Sequence, residues 1–181
     1  MKQERGLPKL AKPQFLDEQA YVHIKQAILS CVLTPGEFLT EAQLAQDLGI
    51  SKTPIRTAMA RLQDENFIIT IPYKGHYVAD ISTEDTLEIY QLRQILECHL
   101  VRETAQQFTP PELDQIEVDI QAAEEAYEQE DYLSYVAHNR KFHHAFPLKY
   151  GNQRILHVLT NLDDHIRRIL LYKLQIQSAD P

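Results

Sequence analysis

Residues 39–78, LTEAQLAQDLGISKTPIRTAMARLQDENFIITIPYKGHYV, decide the fold of this chain. Thr40 precedes an amphipathic run and has Gln43 three residues on, the capping-box pattern that opens a helix. Leu44, Ala45 and Leu48 share one face, and Gly49 supplies the residue type that closes a helix in the left-handed conformation. Ser51 then caps the next helix, with Pro54 in its first turn, where a missing N–H costs little. Ile55, Met59 and Leu62 recur at helical spacing and predict a face packed on the helix before. On the other side lie Ser51, Lys52, Thr53, Arg56 and Thr57. Lys52, Arg56 and Arg61 are basic, and no acid stands between Asp47 and Asp64. A helix so biased, set across a Gly turn from an apolar one, suits a DNA major groove, its first residues reaching base edges or phosphates. Residues 67–71 and 76–78 then read as two strands joined by Pro72-Tyr73-Lys74-Gly75, a hairpin wing with Lys74 and His76 near its tip.

Upstream, the spacing of Ala20, Ile24, Ala27 and Ile28 predicts an amphipathic helix from an Asp17 N-cap to near Ser30, followed by a turn at Thr34-Pro35-Gly36-Glu37. Residues 1–15 hold Pro8, Pro13 and four basic side chains without apolar periodicity, and read as a flexible arm. Downstream, Ser82 with Asp85 opens a run that is helical throughout. Leu87, Tyr90, Ile95, Leu96 and Leu100 outline a long helix to about Phe108, and Thr109-Pro110-Pro111 separates it from another over residues 112–129. Asp131 opens a third, carrying Tyr135, Val136, Phe142 and Phe146, with Pro147 inside it; Pro147 removes an N–H and should bend that helix. Gly151-Asn152 breaks it, and residues 154–174 form a fourth with Ile155, Leu159, Leu162, Ile166 and Ile169. The predicted class is mainly α: a winged helix-turn-helix of three helices and a β-hairpin over residues 16–80, then an all-α bundle over residues 82–181.

Composition fits this reading. The 181 residues are 44% apolar and carry a net charge of −8. That charge is unevenly placed: residues 1–80 hold nine basic and nine acidic side chains, residues 81–181 nine and seventeen. Contact with phosphate follows the local field, so an acidic body on a neutral domain with a basic helix still suits DNA. No apolar run approaches the ~20 residues that span a bilayer, and the first residues lack the apolar core of a secretory signal. Cys31 and Cys98 are far apart without metal spacing and read as buried thiols in a reducing cytoplasm. An enzyme is the competing class, since a His- and acid-rich helical half could support metal-assisted hydrolysis. However, the chain has no Gly-rich phosphate loop, nucleophile elbow, HExxH or CxxC.

Three pieces, YVHIKQAIL, LTPGEFLTEAQLAQDLGISKTPIRTAMARL and PYKGHYV, resemble the winged helix-turn-helix of GntR-type bacterial regulators over about sixty consecutive residues. The resemblance implies operator contact through Lys52, Thr53 and Arg56 and through the wing around Gly75. Lys52 stands where Arg is more usual, and lacks the planar fork that grips guanine in bidentate fashion. Cys31 occupies a place usually taken by Gly.

YQLRQILECHLVRETA, NRKFHHAF and the Gly151-Asn152-Gln153-Arg154-Ile155 run resemble the helical FCD effector domain of the FadR subgroup. That resemblance implies a cytoplasmic homodimeric regulator, commonly a repressor, on a pseudo-palindromic operator, with a pocket for an organic acid. It also implies a divalent, zinc-like ion held by an Asp, a His four residues later and two further histidines. His143 matches the first His, while Asn139 stands in the Asp position, a weaker neutral oxygen ligand. The family's domain runs on through further helices that carry the other two, so this half is expected to be incomplete. A truncated regulator that binds DNA without ligand control is the alternative it leaves open. His138, His144, His157 and His165 match no ligand position, and most of them read as polar groups on helix surfaces. Arg93 and Glu97 are either an i,i+4 surface pair or, by resemblance, a pocket wall in which Arg93 holds an acid's carboxylate.

Overall fold

The computed structural model describes residues 15–179, with side chains to residue 174; the arm expected at residues 1–15 lies almost wholly outside the described residues. The chain divides into two compact units, residues 33–79 with the preceding segment through Ile28, and residues 80–181 with residues 29–32.

In the first unit α1 (Leu16–Leu29), α2 (Glu41–Leu48) and α3 (Lys52–Asp64) accompany strands β1 (Phe38–Leu39), β2 (Ile68–Ile71) and β3 (Gly75–Val78). Helix α1 starts one residue before the expected Asp17 cap, so Asp17 and Glu18 lie in its first turn, where acids favour the positive end of the helix dipole. The Thr40 side chain accepts the Gln43 N–H at 3.1 Å, as a cap should. The Gln43 side chain does not complete a capping box; it bonds Asp47 at 2.8 Å instead. Ser51 occupies the N-cap position of α3 in extended conformation but makes no side-chain cap bond. Gly49 takes φ 65, and nothing lies within 4 Å of where its Cβ would be, so backbone conformation alone calls for glycine there.

The wing is a three-stranded antiparallel sheet in the order β1-β3-β2, not the expected two-stranded hairpin. Phe38 pairs with Tyr77 and Leu39 with His76. A two-residue strand after a Pro-Gly turn is too short to show alternation, which is why the sequence conceals it. Leu39 is buried while Phe38 lies on the other face, its ring against Gly75; a Cβ there would come within 2.7 Å of that ring. Ile55, Leu62 and Phe67 are fully buried, and burying each contributes roughly 2 kcal/mol.

The second unit holds α4 (Thr83–Thr104), a short 3-10 turn (Ala105–Gln107), α5 (Pro110–Glu128), α6 (Tyr132–Tyr150) and α7 (Gln153–Ala179). Helix α6 packs on α4, α5 and α7. The core joins Ile89 and Leu100 to Leu159, Leu162 and Ile169. The buried stripe of α4 is Ile89, Arg93, Leu100 and Thr104. Of the expected stripe, Leu100 is buried and Leu96 packs against the core, whereas Leu87, Tyr90 and Ile95 are exposed. Helix α6 runs through the buried Pro147 to Tyr150, where Gly151 in left-handed conformation ends it. Asn152 accepts the backbone N–H groups of Arg154 and Ile155 and caps α7.

Candidate nucleic-acid interface and ligand cavity

Helix α3 is cleanly two-faced. Ile55, Ala58, Met59 and Leu62 are buried, whereas Ser51, Lys52, Thr53, Arg56 and Thr57 face solvent. Arg56 does not stand alone. Its Nε and Nη2 donate to the two carboxylate oxygens of Glu41, each at 2.8 Å. The guanidinium nevertheless remains accessible, its side chain 72% exposed. The Arg56 hydrogen bonds lead in holding the Glu41 carboxyl below the usual range, and the charges of His76 and Lys52 add to this. Glu41, Lys52, Arg56 and His76 therefore share one electrostatic neighbourhood. Glu41 was missed from the sequence, where a first-turn acid reads only as a dipole partner.

Arg61, counted in the basic helix, faces elsewhere. Its guanidinium lies 3.5 Å from the Tyr21 ring centroid and 2.8 Å from Glu18, tying α3 to α1. Beneath it, Tyr21 and Lys25 both hydrogen-bond Glu65. Burial acts to raise the Glu65 carboxyl, but the bonds from Lys25 and Tyr21 outweigh it and bring it below the usual range.

In the wing, Lys74 is exposed and its N–H closes the turn on Ile71 O at 3.0 Å. Gly75 takes φ 105. His76 is half-buried in β3 rather than free at the tip: its Nδ1 lies 2.9 Å from Thr70 Oγ1, which also donates to Gln63 of α3. Tyr73, not singled out from the sequence, is the fully exposed residue of the turn.

The second unit encloses a cavity of about 500 Å³ that brings together Arg93, Asn139 and His143, with Arg140, Arg167 and Lys173 also on its wall. Arg93 is only 6% exposed, so its i,i+4 pair with Glu97 forms, but away from the surface. Its Nε donates to Glu97 at 2.6 Å and its Nη1 reaches Asp163 at 3.1 Å. Among the described residues its Nη2 has no hydrogen-bond partner. His143 Nδ1 sits 3.1 Å from the other Glu97 oxygen, and His144 Nε2 2.6 Å from Asp163. Burial acts to raise the Glu97 carboxyl, but bonds from His143 and Arg93 hold it below the usual range.

The other histidines divide. His157 is exposed as expected, His138 is half-buried 3.4 Å from Asp119, and His165 is buried, contrary to the surface reading. Cys31 is buried with φ 55, the conformation Gly adopts freely, and burial pushes its thiol up. Cys98 is exposed, against expectation, and lines the cavity. Among the described residues no three His, Cys, Asp or Glu side chains are grouped to hold a metal. Asn139 and His143 supply two donors, and Glu97 is already engaged by Arg93, so these residues do not by themselves complete a metal site.

Residues 16–78 match the family model described as bacterial regulatory proteins, gntR family, and residues 88–181 match the FCD domain. The chain is 30% identical over 168 residues to the uncharacterized HTH-type transcriptional regulator YdhC of Bacillus subtilis (strain 168), covering 91% of this chain and 75% of that protein. It is 26% identical over 130 residues to the HTH-type transcriptional repressor RspR of Escherichia coli (strain K12), covering 72% and 57%. Its fold is similar to a putative transcriptional regulator GntR from Rhodococcus sp. RHA1, with a TM-score of 0.69 at 22% identity over 88% of this chain and 76% of that one.

Proposed function

Because the chain belongs to the GntR family of bacterial regulatory proteins, its second unit carrying an FCD domain, we propose that it reads an operator through the start of α3 and the wing under control of a small acid. It is a DNA-binding transcription regulator, not an enzyme. The observation that carries the proposal is the exposed, acid-free start of α3, Ser51-Lys52-Thr53 with Arg56 one turn on. Glu41 engages the Nε/Nη2 edge of Arg56, which leaves Nη1 and the second Nη2 hydrogen to point outward. That outward edge is what guanine O6 and N7 accept. Lys52, Lys74 and Gly75 would contact phosphates, Lys52 as a point charge rather than a fork.

In the second unit, the unpartnered Nη2 of the buried Arg93 supports an anionic ligand, because a buried donor without a partner is costly. Arg167 and Lys173 on the same wall add positive charge, and Asn139 and His143 offer polar contacts. An organic acid fits this set. The ligand changes operator affinity only if it binds one arrangement of the protein better than another. Exposed Leu87, Ile95 and Val101 on α4 offer an apolar surface for a homodimer, and a dimer acting as a repressor in the cytoplasm is the working state we assign.

Selection of bound duplexes from a random-sequence pool tests this. A short inverted repeat should emerge, and a panel of small carboxylates should include one that releases it from the wild type but not from Arg93→Met. Enrichment of no sequence would overturn the operator reading. Binding indifferent to every acid would leave a regulator without ligand control.

A further inference from the structure

We propose that the groove between α5 and α6 is a binding site for a small organic cation of the quaternary ammonium class. The groove is a cavity of about 520 Å³, distinct from the one that holds Arg93, although Tyr135 and Asn139 line both. Ala123, Glu124, Tyr127 and Glu128 fall at helical spacing on one face of α5. Tyr135, Asn139 and Phe142 do the same on α6. Three aromatic rings thus meet two carboxylates around one space, and the small side chain of the buried Ala123 leaves that space open. Core packing does not account for the set. Tyr127 is 59% exposed, while Tyr135 and Phe142 are half-buried. Among the described residues the phenols of Tyr127 and Tyr135 make no hydrogen bond, and the carboxylates of Glu124 and Glu128 meet no cation.

The rings are held by one another and by the turn beneath them. The Tyr127 and Tyr135 centroids lie 5.5 Å apart with planes at 59°, and Tyr132 meets Tyr127 edge-on at 6.1 Å. Phe142 packs edge-on against Phe146 at 5.6 Å. Between the helices, Glu130 N–H bonds Tyr127 O at 3.1 Å and Asp131 N–H bonds Ala126 O at 2.9 Å. An aromatic face attracts a cation that sits within about 6 Å of its centroid, most strongly where water is displaced. A quaternary ammonium has no N–H to satisfy, so ring faces and nearby carboxylate charge meet its needs. A metal ion instead requires a set of oxygen, nitrogen or sulfur ligands, and no three His, Cys, Asp or Glu are so grouped among the described residues. Residues 81–181 hold seventeen acidic side chains against nine basic, and the field of that excess draws cations to this unit.

The test is a calorimetric titration of the full chain with choline and, separately, with 3,3-dimethylbutan-1-ol, which has the same shape without the charge. Choline should bind roughly tenfold more tightly than the alcohol. Tyr127→Leu should weaken choline by about tenfold and leave the alcohol little changed, while Tyr127→Phe, which keeps the ring face, should stay within about twofold of the wild type. Glu128→Gln should weaken choline and flatten its dependence on salt. Both positions are exposed, so each variant should melt as the wild type does. No binding of choline, or equal affinity for choline and the alcohol, would overturn the cation site. Choline affinity unchanged in both Tyr127→Leu and Glu128→Gln would overturn it as well. Arg93→Met, aimed at the acid site, should bind choline as the wild type does; loss of choline there would assign the cation to the other cavity and remove this site.

Discussion

Arg56 reaches solvent from α3 with one edge of its guanidinium already held by Glu41. Two parallel charge-assisted bonds fix the plane of the fork and limit the ordering left to be done on binding. Glu41→Gln tests this with opposed signs. Removing an acid near phosphates should strengthen binding to scrambled DNA, while loosening Arg56 should weaken binding to the operator. The expected result is a drop in the specific-to-nonspecific affinity ratio of roughly three- to tenfold, within the range of a partly lost base contact. Both affinities rising together in a gel-shift or fluorescence titration would show that the brace does not matter for readout. At this scale the exposed face of α3 was legible from period and charge alone. The destination of Arg61 was not, because its partners Tyr21 and Glu18 lie forty or more positions away. Tyr73 was equally hidden, since a turn sequence shows neither φ nor exposure.

Among the elements, α5 shows how a helix start becomes an electrostatic clasp. Glu112 accepts from the Thr109 N–H and hydroxyl, each at 2.8 Å, and from Lys149 of α6. The Lys149 bond first, then the Thr109 bonds, lower its carboxyl to about 2. An unfolded glutamate titrates near ~4.3, so the folded value is the depressed one. The stabilisation is fully present above that unfolded value and is lost as pH falls toward about 2. A carboxyl NMR titration should find Glu112 still ionised at pH 3. Glu112→Gln should melt with a shallower pH dependence between roughly 4.5 and 2 than the wild type, and identical acid profiles would remove the clasp. Helix α4 marks the limit of periodicity. Its inward face includes Arg93, which a hydrophobic count places outside, so of the inferred stripe Leu96 and Leu100 face the core while Leu87, Tyr90 and Ile95 do not. Burial of that charge is tolerated because Glu97 and Asp163 accept from it, an arrangement visible only once α4 and α7 are packed. Strand β1 escaped for the opposite reason: two residues carry no period.

For the whole molecule, the uneven charge bears on the proposed operator binding. The excess of acids lies entirely beyond residue 80, while the unit bearing α3 and the wing is balanced and locally basic. Affinity should therefore come from a few cations and counterion release, not from net charge. The measurement that bears most directly on this is a salt titration of the wild type on its selected inverted repeat and on a scrambled duplex of equal length. A dimer neutralising six or more phosphates should lose on the order of a thousandfold in affinity between 50 and 200 mM salt. Across that range the repeat should stay at least about a thousandfold tighter than the scrambled duplex. Equal affinity for the two duplexes, or binding indifferent to salt, would contradict the account that α3 and the wing read an operator.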